Sequence, residues 1–469
     1  MSNFNLLLIE PQEAELRDLL YAKAGVEGAA YVLMREYKID NDPWARRSRT
    51  KLVVREIVPI LPEHQLSSSG QHVTWDTKGF VALLQRCQRE DLILGIAHCH
   101  PRGPRTFSEQ DDLNEAELLR TACNRNGTGT KLVSILFYDD GGIRARVWQF
   151  PKNKADCTSV AVFGERFRFH TPEVLSPASD IFARQALAFG PSLMAQLKAL
   201  RVGIIGVGGT GSATAMLAAR AGIGQIVIID DDIVEPTNLN RLHGATQSDA
   251  DAMASKADVA AREIARMGLG ARVVPLKGWA NAAHVRDALK SCDVIFCCTD
   301  DNSGRIFLNR LAYFYFIPVI DMGLAMAVAK PPATGMADIS ARVTTILPPE
   351  TCLLCRDAVD SELAREEDLR RRNPAEYDRQ KREAYVRGEG HPNPAVVTFT
   401  TEVACMAVNE LLNRIVGYRK RDMGSEHRRR FLFCEDRSTS AAPRSSCPIC
   451  ASRDYWGMGD VEPFLDLVG

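Results

Sequence analysis

No stretch of this chain approaches the roughly 20 consecutive apolar residues needed to cross a bilayer. No basic, then apolar leader with a small-residue cleavage site opens it either: residues 1–10 read MSNFNLLLIE. Membrane insertion and secretion are therefore not expected, and the cytoplasm is the expected compartment. Charge of one sign is lacking too. Fifty-eight Lys and Arg against 59 Asp and Glu leave a formal charge of −1, so no global field draws nucleic acid, and any basic surface must be local. There is no internal repeat, which excludes a repeat architecture, and no low-complexity tail. The 13 cysteines are an odd number without a secretory context, and four of them fall in two Cys-x-x-Cys pairs. That argues for metal ligation plus free thiols over a disulfide framework.

What is there is a chain of 469 residues, 45% apolar and 25% charged, the balance of a globular protein with room for two or three domains. In the N-terminal third, strand-like and helix-like patterns alternate. Residues 51–60 (KLVVREIVPI) predict a strand. Residues 76–89 predict a helix opened by Asp76, with Phe80, Leu83, Leu84 and Cys87 at helical spacing, and 92–97 (LILGIA) predict a buried strand. Residues 131–138 and 143–150 flank Asp139-Asp140-Gly141-Gly142 and predict a hairpin. Residues 151–177 look irregular, which puts the boundary there: a first α/β domain over 1–155, a linker over 156–178, a second domain over 179–469. From Leu200, strand, glycine turn, helix, strand, helix and strand succeed one another as in a doubly wound α/β sheet. Residues 357–389 are charge-dense with little apolar content, which predicts a solvated helical crossover outside the core.

The first chemical pattern is His98-Cys99-His100-Pro101, followed after six residues by Ser108-Glu109-Gln110-Asp111. Two histidines one residue apart at a strand end point to one side, because side chains alternate. Two imidazoles and a carboxylate, with a fourth position left to water, suit a hydrolytic zinc. A further carboxylate must then accept a proton. Glu27, among the small residues of AGVEGAA (24–30), precedes a strand-like stretch and can supply it; Glu36 is the other acid nearby. Taken singly, Ser108 and Asp111 also suit a helix cap. Together the pattern resembles the JAMM (MPN-plus) metallopeptidase family over roughly residues 10–150. The resemblance implies His98, His100 and Asp111 as zinc ligands, Glu27 as general base and Ser108 as a hydrogen-bond donor to the tetrahedral intermediate.

The second pattern starts at residues 201–206 (RVGIIG), a strand that runs into Gly206-x-Gly208-Gly209-x-Gly211 and a helix. Glycine lets backbone approach a phosphate, and the helix start offers free N–H groups. The next strand ends in Asp230, where a ribose hydroxyl is commonly held. That much also suits an NAD-dependent dehydrogenase. The run Asp230-Asp231-Asp232-Ile233-Val234-Glu235-Pro236-Thr237-Asn238-Leu239-Asn240-Arg241, Lys256 opening the next helix, and Cys298-Thr299-Asp300-Asp301 resemble instead the ThiF/MoeB family and ubiquitin-activating enzymes, with Asp301 standing where that family has Asn. The resemblance implies an ATP site: Gly206, Gly208, Gly209, Gly211, Asp230, Asp232 and Asn238 on the nucleotide, Arg241 and Lys256 on the triphosphate, and Asp300 on Mg2+. Phe182-Ala183-Arg184-Gln185 resembles the segment whose arginine, in that family, reaches a partner's ATP across a two-fold interface. It implies a homodimer through the C-terminal half; the plainer reading is an arginine ending a surface helix.

Cys352-Leu353-Leu354-Cys355 and Cys447-Pro448-Ile449-Cys450 suit a closed, structural zinc site of four cysteines. Their separation by a crossover is as in the ThiF/MoeB family, and that resemblance spans roughly residues 180–455. Members that form a thioester carry a cysteine in the crossover. Residues 356–404 have none, Gly388-Glu389-Gly390-His391-Pro392 stand about where it is expected, and Cys405 falls in a helical pattern suited to the core. Adenylation is expected, and a thioester on this chain is not.

The two resemblances imply a bifunctional enzyme of ubiquitin-like proteins. A zinc isopeptidase half would process or deconjugate after a C-terminal glycine, and an ATP-dependent half would adenylate that terminus. The implied cofactors are one catalytic and one structural Zn2+, ATP and Mg2+. The implied partners are a small β-grasp ubiquitin-like protein and a conjugating enzyme, with no nucleic acid and no membrane. Two other readings stand beside it: activation of a sulfur carrier for thiocarboxylate formation, and a scaffold with one inactive half.

Overall fold

The structure is a computed structural model describing residues 3–60, 65–68, 73–75, 78–172, 179–329, 334–382, 394–421, 424–439 and 441–467; the expected cap at Asp76 and the segment 388–392 lie outside these. The alternating patterns of the first third become a nine-stranded sheet, in the order Phe167–His170, Ser159–Phe163, Phe4–Ile9, Arg49–Pro59, Ala29–Ile39, Ile93–His100, Lys131–Tyr138, Ile143–Gln149, Asn153–Asp156. The apolar run at its centre, Ile93–His100, is buried along nearly its whole length. It pairs antiparallel with Ala29–Ile39 and parallel with Lys131–Tyr138. The helix Lys78–Glu90 buries Phe80, Leu84 and Cys87, one apolar stripe. The hairpin across 139–142 is present.

Residues 151–177 differ from expectation. They hold three strands, and Ser159–Phe163 pairs in parallel with Phe4–Ile9, so the first sheet continues beyond its own N-terminal strand. Strands of four or five residues are too short to display a period.

The second sheet has eight strands: Arg272–Lys277, Gln225–Asp230, Arg201–Ile205, Val294–Cys297, Val319–Val328, Met336–Ile346, Glu426–Arg430, Glu435–Ser438. The first five run parallel and the rest antiparallel. Chain progress reverses on either side of Arg201–Ile205, which opens a crevice at the C-terminal strand ends. The charge-dense crossover is not merely solvated. Its helix Ser361–Arg372 packs on the helix Asn302–Tyr315 and buries Ala364 and Glu366, and Tyr377 of the following helix is buried too. Its charges work as fasteners: Glu367 accepts from the Ser303 amide at 2.9 Å and from Asn302 Nδ2 at 3.3 Å. Composition registers the charges but not their pairing. No helix among the described residues is long and apolar enough to cross a membrane.

The two sheets share a core in which Leu7, Tyr37, Val53 and Phe163 pack with Val202 and Phe296. The Tyr37 and Tyr315 rings meet edge to face at 4.7 Å, and buried Lys51 donates to the Cys292 carbonyl at 2.7 Å. The segment after the last Cys-x-x-Cys pair straps the seam. Gly457 and Gly459 donate to the carbonyls of Tyr313 and Phe314, and Asp460 accepts from the Lys38 amide and the Tyr315 hydroxyl, each at 2.9 Å. Fully buried Asp42 lies at the seam, accepting from the amides of Trp44 and Ala45, from Arg49 at 3.1 Å and from Arg201. Asp42→Ala strands Arg49 without its counter-charge, and breaking a buried pair from one side costs about 3–5 kcal/mol. The expected outcome is a lowered denaturation midpoint for the whole chain, measured by urea unfolding; an unchanged midpoint counts against the seam being a stability element.

Candidate functional sites

Strand alternation settles the first cluster. His98 and His100 point to one side of their strand, while Cys99 points to the other, its thiol donating to the Leu20 carbonyl at 3.1 Å. Ala29 stands opposite His98 in the antiparallel register and the Cys99 amide donates to the Gly28 carbonyl, so Glu27 is carried toward His100. The Glu27 carboxylate is 3.9 Å from His100 Nε2. A side chain at Gly28 would strike the Leu20 carbonyl, its Cβ only 2.3 Å from that oxygen, which explains a glycine beside the acid. Glu36 lies elsewhere, paired with Lys131.

Asp111 enters from the first turn of the helix Glu109–Asn126, capped by Ser108. Its oxygens lie 3.4 Å from His98 Nε2 and 3.4 Å from His100 Nε2. Ligands about 2.05 Å from a tetrahedral zinc are about 3.4 Å apart, so the spacing fits that ion. His98 Nε2 is buried without a hydrogen-bond partner among the described residues, as suits an atom whose lone pair serves a metal. Burial pushes the Asp111 carboxyl up, but the His100 and His98 rings and the Ser108 amide outweigh it and hold it well below the usual carboxylate range. Ser108 Oγ donates to Asp111 at 2.7 Å while accepting the Asp111 amide at 3.1 Å, so here the hydroxyl serves as cap and ligand support.

The four cysteines of the two Cys-x-x-Cys pairs converge and are buried. Sulfur–sulfur distances are 3.6 Å for Cys352–Cys447 and Cys355–Cys450, and 3.7 Å for Cys447–Cys450. Sulfurs about 2.3 Å from a tetrahedral zinc stand about 3.8 Å apart, so this set also fits.

The crevice of the second sheet forms a cavity of about 640 Å³. Gly206, Gly208, Gly209, Asp230, Asp232, Asn238, Arg241, Lys256 and Asp300 all line it. Gly206 has φ +84°, where a side chain is strained. Gly211 does not line the cavity; a Cβ there would sit 1.9 Å from the Gly206 carbonyl oxygen, so this glycine serves close helix–strand packing. Asp230 is buried and accepts from the Val207 amide at 2.5 Å and the Asp232 amide at 2.8 Å. Burial pushes its carboxyl up, and those two amides oppose the shift. Lys256 Nζ holds Asp232 at 2.7 Å, and Arg241 donates to the Thr237 carbonyl at 2.6 Å. Asp301 caps the helix Asn302–Tyr315, a task open to Asp and Asn alike.

Arg184 sits on an exposed short helix, Ala183–Phe189, and is not among the cavity residues of its own chain. Sequence reasoning missed Trp279, Glu367, Arg370 and Arg371, which do line the cavity. Trp279 was detectable in principle, since it follows a parallel strand at its C-terminal end, where such sheets bind ligands. The arginines of the crossover carry no such signal. Among the described lining residues four cations face six carboxylates, an excess of negative charge that works against a polyanion.

These geometries define a two-part protein, with a His–His–Asp cluster on a JAB-like sheet joined to a Rossmann-like sheet with a nucleotide-sized crevice and a four-cysteine cluster. The ThiF family profile matches residues 182–449, more than half of the sequence, and the chain belongs to that family; the profile for prokaryotic homologs of the JAB domain matches residues 10–149. Among curated relatives, the SAMP-activating enzyme E1 of Haloferax volcanii is 28% identical over 166 residues, 35% of this chain and 56% of that one. The sulfur carrier protein ThiS adenylyltransferase of Bacillus subtilis is 31% identical over 141 residues, 30% of this chain and 42% of that one. The tRNA threonylcarbamoyladenosine dehydratase of the same organism is 30% identical over 161 residues, 34% and 62% of the two chains. The chain thus spans between 42% and 62% of the length of these relatives. A solved structure of Escherichia coli MccB with MccA-N7isoASN overlaps with a TM-score of 0.43 and 18% identity over 58% of this chain and 75% of that one, too loosely to bear on function.

Two tetrahedral sets predict two zinc equivalents per chain, one at the cysteines and one at His98, His100 and Asp111. His100→Ala should lower the count to one, and Glu27→Ala should leave it at two, as read by elemental analysis of the purified protein. Loss of metal from Glu27→Ala removes the distinction between ligand and neighbouring acid.

Proposed function

We propose that the chain activates the C-terminus of a small β-grasp ubiquitin-like protein with ATP and also cleaves bonds made by that terminus, the two halves dividing after the strand Phe167–His170. The observation that carries the first activity is the gathering of the glycine turn, Asp230, Arg241, Lys256 and Asp300 around one crevice in a ThiF-family chain. The glycine turn and the start of the helix Gly209–Ala221 present amides to the phosphates. Arg241 and Lys256 would offset charge on the triphosphate, and Asp300, exposed at the crevice, would hold Mg2+, which would supply further positive charge there. The partner's carboxylate attacks the α-phosphate, its oxygen forming the new P–O bond as pyrophosphate leaves. The excess of carboxylates at the crevice supports a cation delivered in trans, the role of Arg184 in a homodimer through the C-terminal half. A conjugating enzyme is the natural acceptor downstream.

At the other site, zinc would supply a Lewis acid and a water acidified toward neutrality. Glu27, buried and close to His100, would take and return the proton, and Ser108 would steady the oxyanion once its O–H is released from the Asp111 carboxylate.

A second reading, sulfur-carrier activation, is favoured by the absence of cysteine from residues 356–404, which leaves an adenylate to an external sulfur donor, and by the relative named for ThiS.

ATP–pyrophosphate exchange that depends on the ubiquitin-like partner is the expected signature, abolished in Asp300→Ala. Arg184→Ala should retain the dimer and lose most exchange, and mixing the two variants should restore part of it. A monomer in solution, or no rescue despite subunit exchange, counts against delivery in trans. For the other half, Glu27→Ala should lower cleavage of a ubiquitin-like fusion by about 10²–10⁴-fold; near-normal cleavage removes Glu27 as the base.

A further inference from the structure

Residues 101–107 join His100, the last residue of its strand, to Ser108, the cap of the helix that brings in Asp111. Residues 102–106 of this loop are exposed and belong to no helix or strand, so burial does little to fix them. Polar ties to the hairpin formed by Lys131–Tyr138 and Ile143–Gln149 do so instead. The Arg102 amide donates to Asp139 Oδ2 at 2.9 Å, with Arg102 held at φ +59°, in the left-handed region. The Arg105 guanidinium pairs with Asp140. The Arg105 carbonyl accepts twice, from the Tyr138 hydroxyl at 2.9 Å and from Arg144 Nη1 at 3.2 Å. The far end of the loop is pinned from the same hairpin: the Arg146 guanidinium carbon lies 3.8 Å from the centre of the Phe107 ring, which is 6.0 Å from that of His98.

On the other side of the Arg105 Cα stands the Pro104 carbonyl, whose oxygen is 3.2 Å from His100 Nδ1. A carbonyl only accepts, so Nδ1 carries the proton, and in the neutral ring Nε2 keeps its lone pair for a metal. The tautomer and the plane of a buried imidazole thus depend on where one exposed peptide stands. Tyr138 is buried and lies opposite His100 in the parallel register of the two strands. Gly142 makes room for its ring, since a Cβ there would lie 2.5 Å from Tyr138 Cδ2.

We propose that Tyr138 is a positioning residue of the histidine–aspartate cluster: its hydroxyl fixes the Arg105 backbone, and with it the Pro104 carbonyl that sets the His100 ring for metal binding. Arg144 and Asp139 hold the same loop beside it. None of the three is a ligand, so each acts on how tightly the site grips its ion and not on the chemistry done there. The inference rests on the zinc reading of the cluster given above.

The test is competition for zinc between the full-length protein and a chelator, with bound metal counted by elemental analysis and folding followed by thermal melting. His100→Ala marks which of the two zinc equivalents belongs to the cluster. Tyr138→Phe, which keeps the ring and loses the hydroxyl, should weaken that zinc by about 10–100-fold and leave the cysteine zinc unchanged. Its form holding the cysteine zinc alone should melt as the same form of wild type does. Asp139→Ala should weaken the cluster zinc too, and Asp139→Asn, which still offers an oxygen to the Arg102 amide, should not. Unchanged affinity in Tyr138→Phe overturns the proposal and leaves the zinc centre standing. Weakening of both zincs, or a lowered melting point of the one-zinc form, makes Tyr138 a general stabiliser and overturns it as well. Equal weakening by Asp139→Asn and Asp139→Ala assigns the effect to charge and overturns the hold on the loop. A wild type without zinc at the cluster removes the zinc reading and this inference with it.

Discussion

A single buried carboxylate ties the nucleotide crevice together. Asp230 takes the Val207 amide on one oxygen and the Asp232 amide on the other, so the glycine turn and the acidic loop are held to the same strand end. The backbone carbonyl of Asp232 in turn accepts the Lys256 amide, and its side chain holds the Lys256 ammonium. Three segments separated in sequence are thereby brought to fixed positions by one group. Burial works against ionising that group, and the two amides are what make the charge tolerable. An Asn here would keep one acceptor and turn the other into a donor facing an amide.

The zinc-type cluster depends on a different constraint, the register of two strands. Period-two alternation aims both histidines one way, and the pairing of Ala29 with His98 decides which glutamate reaches them. A slip by one residue would send both histidines into the core and bring Cys99 to the surface. The cluster is thus as secure as the sheet around it, whose central strand is covered on both faces.

Much of this was legible in the sequence, and the limits have physical causes. The histidine pair, the Ser-x-x-Asp step and the acidic run before Arg241 are local, and local spacing maps directly onto local geometry. The choice between Glu27 and Glu36 needed the strand register, which spacing does not encode. Arg371 was hidden for a stronger reason: its partners Trp279 and Asp301 are distant in sequence and its own surroundings are uniformly charged. The strands of 153–170 escaped because each is too short to show a period, although their pairing completes both edges of the first sheet. Ser108 was ambiguous between cap and catalytic donor because one hydroxyl accepts and donates at once, here taking the Asp111 amide while giving its proton to the Asp111 carboxylate.

The strap from Gly457 to Asp460 has a consequence for how the protein is made. Synthesis runs from the N-terminus, and domains generally fold as they emerge. The first sheet has all its strands once residue 170 is out, yet the face carrying Tyr37, Lys51 and Val53 must wait for the second half to be translated. The segment that closes this seam follows every strand of both sheets. Until it arrives, the first sheet keeps an aromatic and cationic face in water, so its folding is completed only together with the second half.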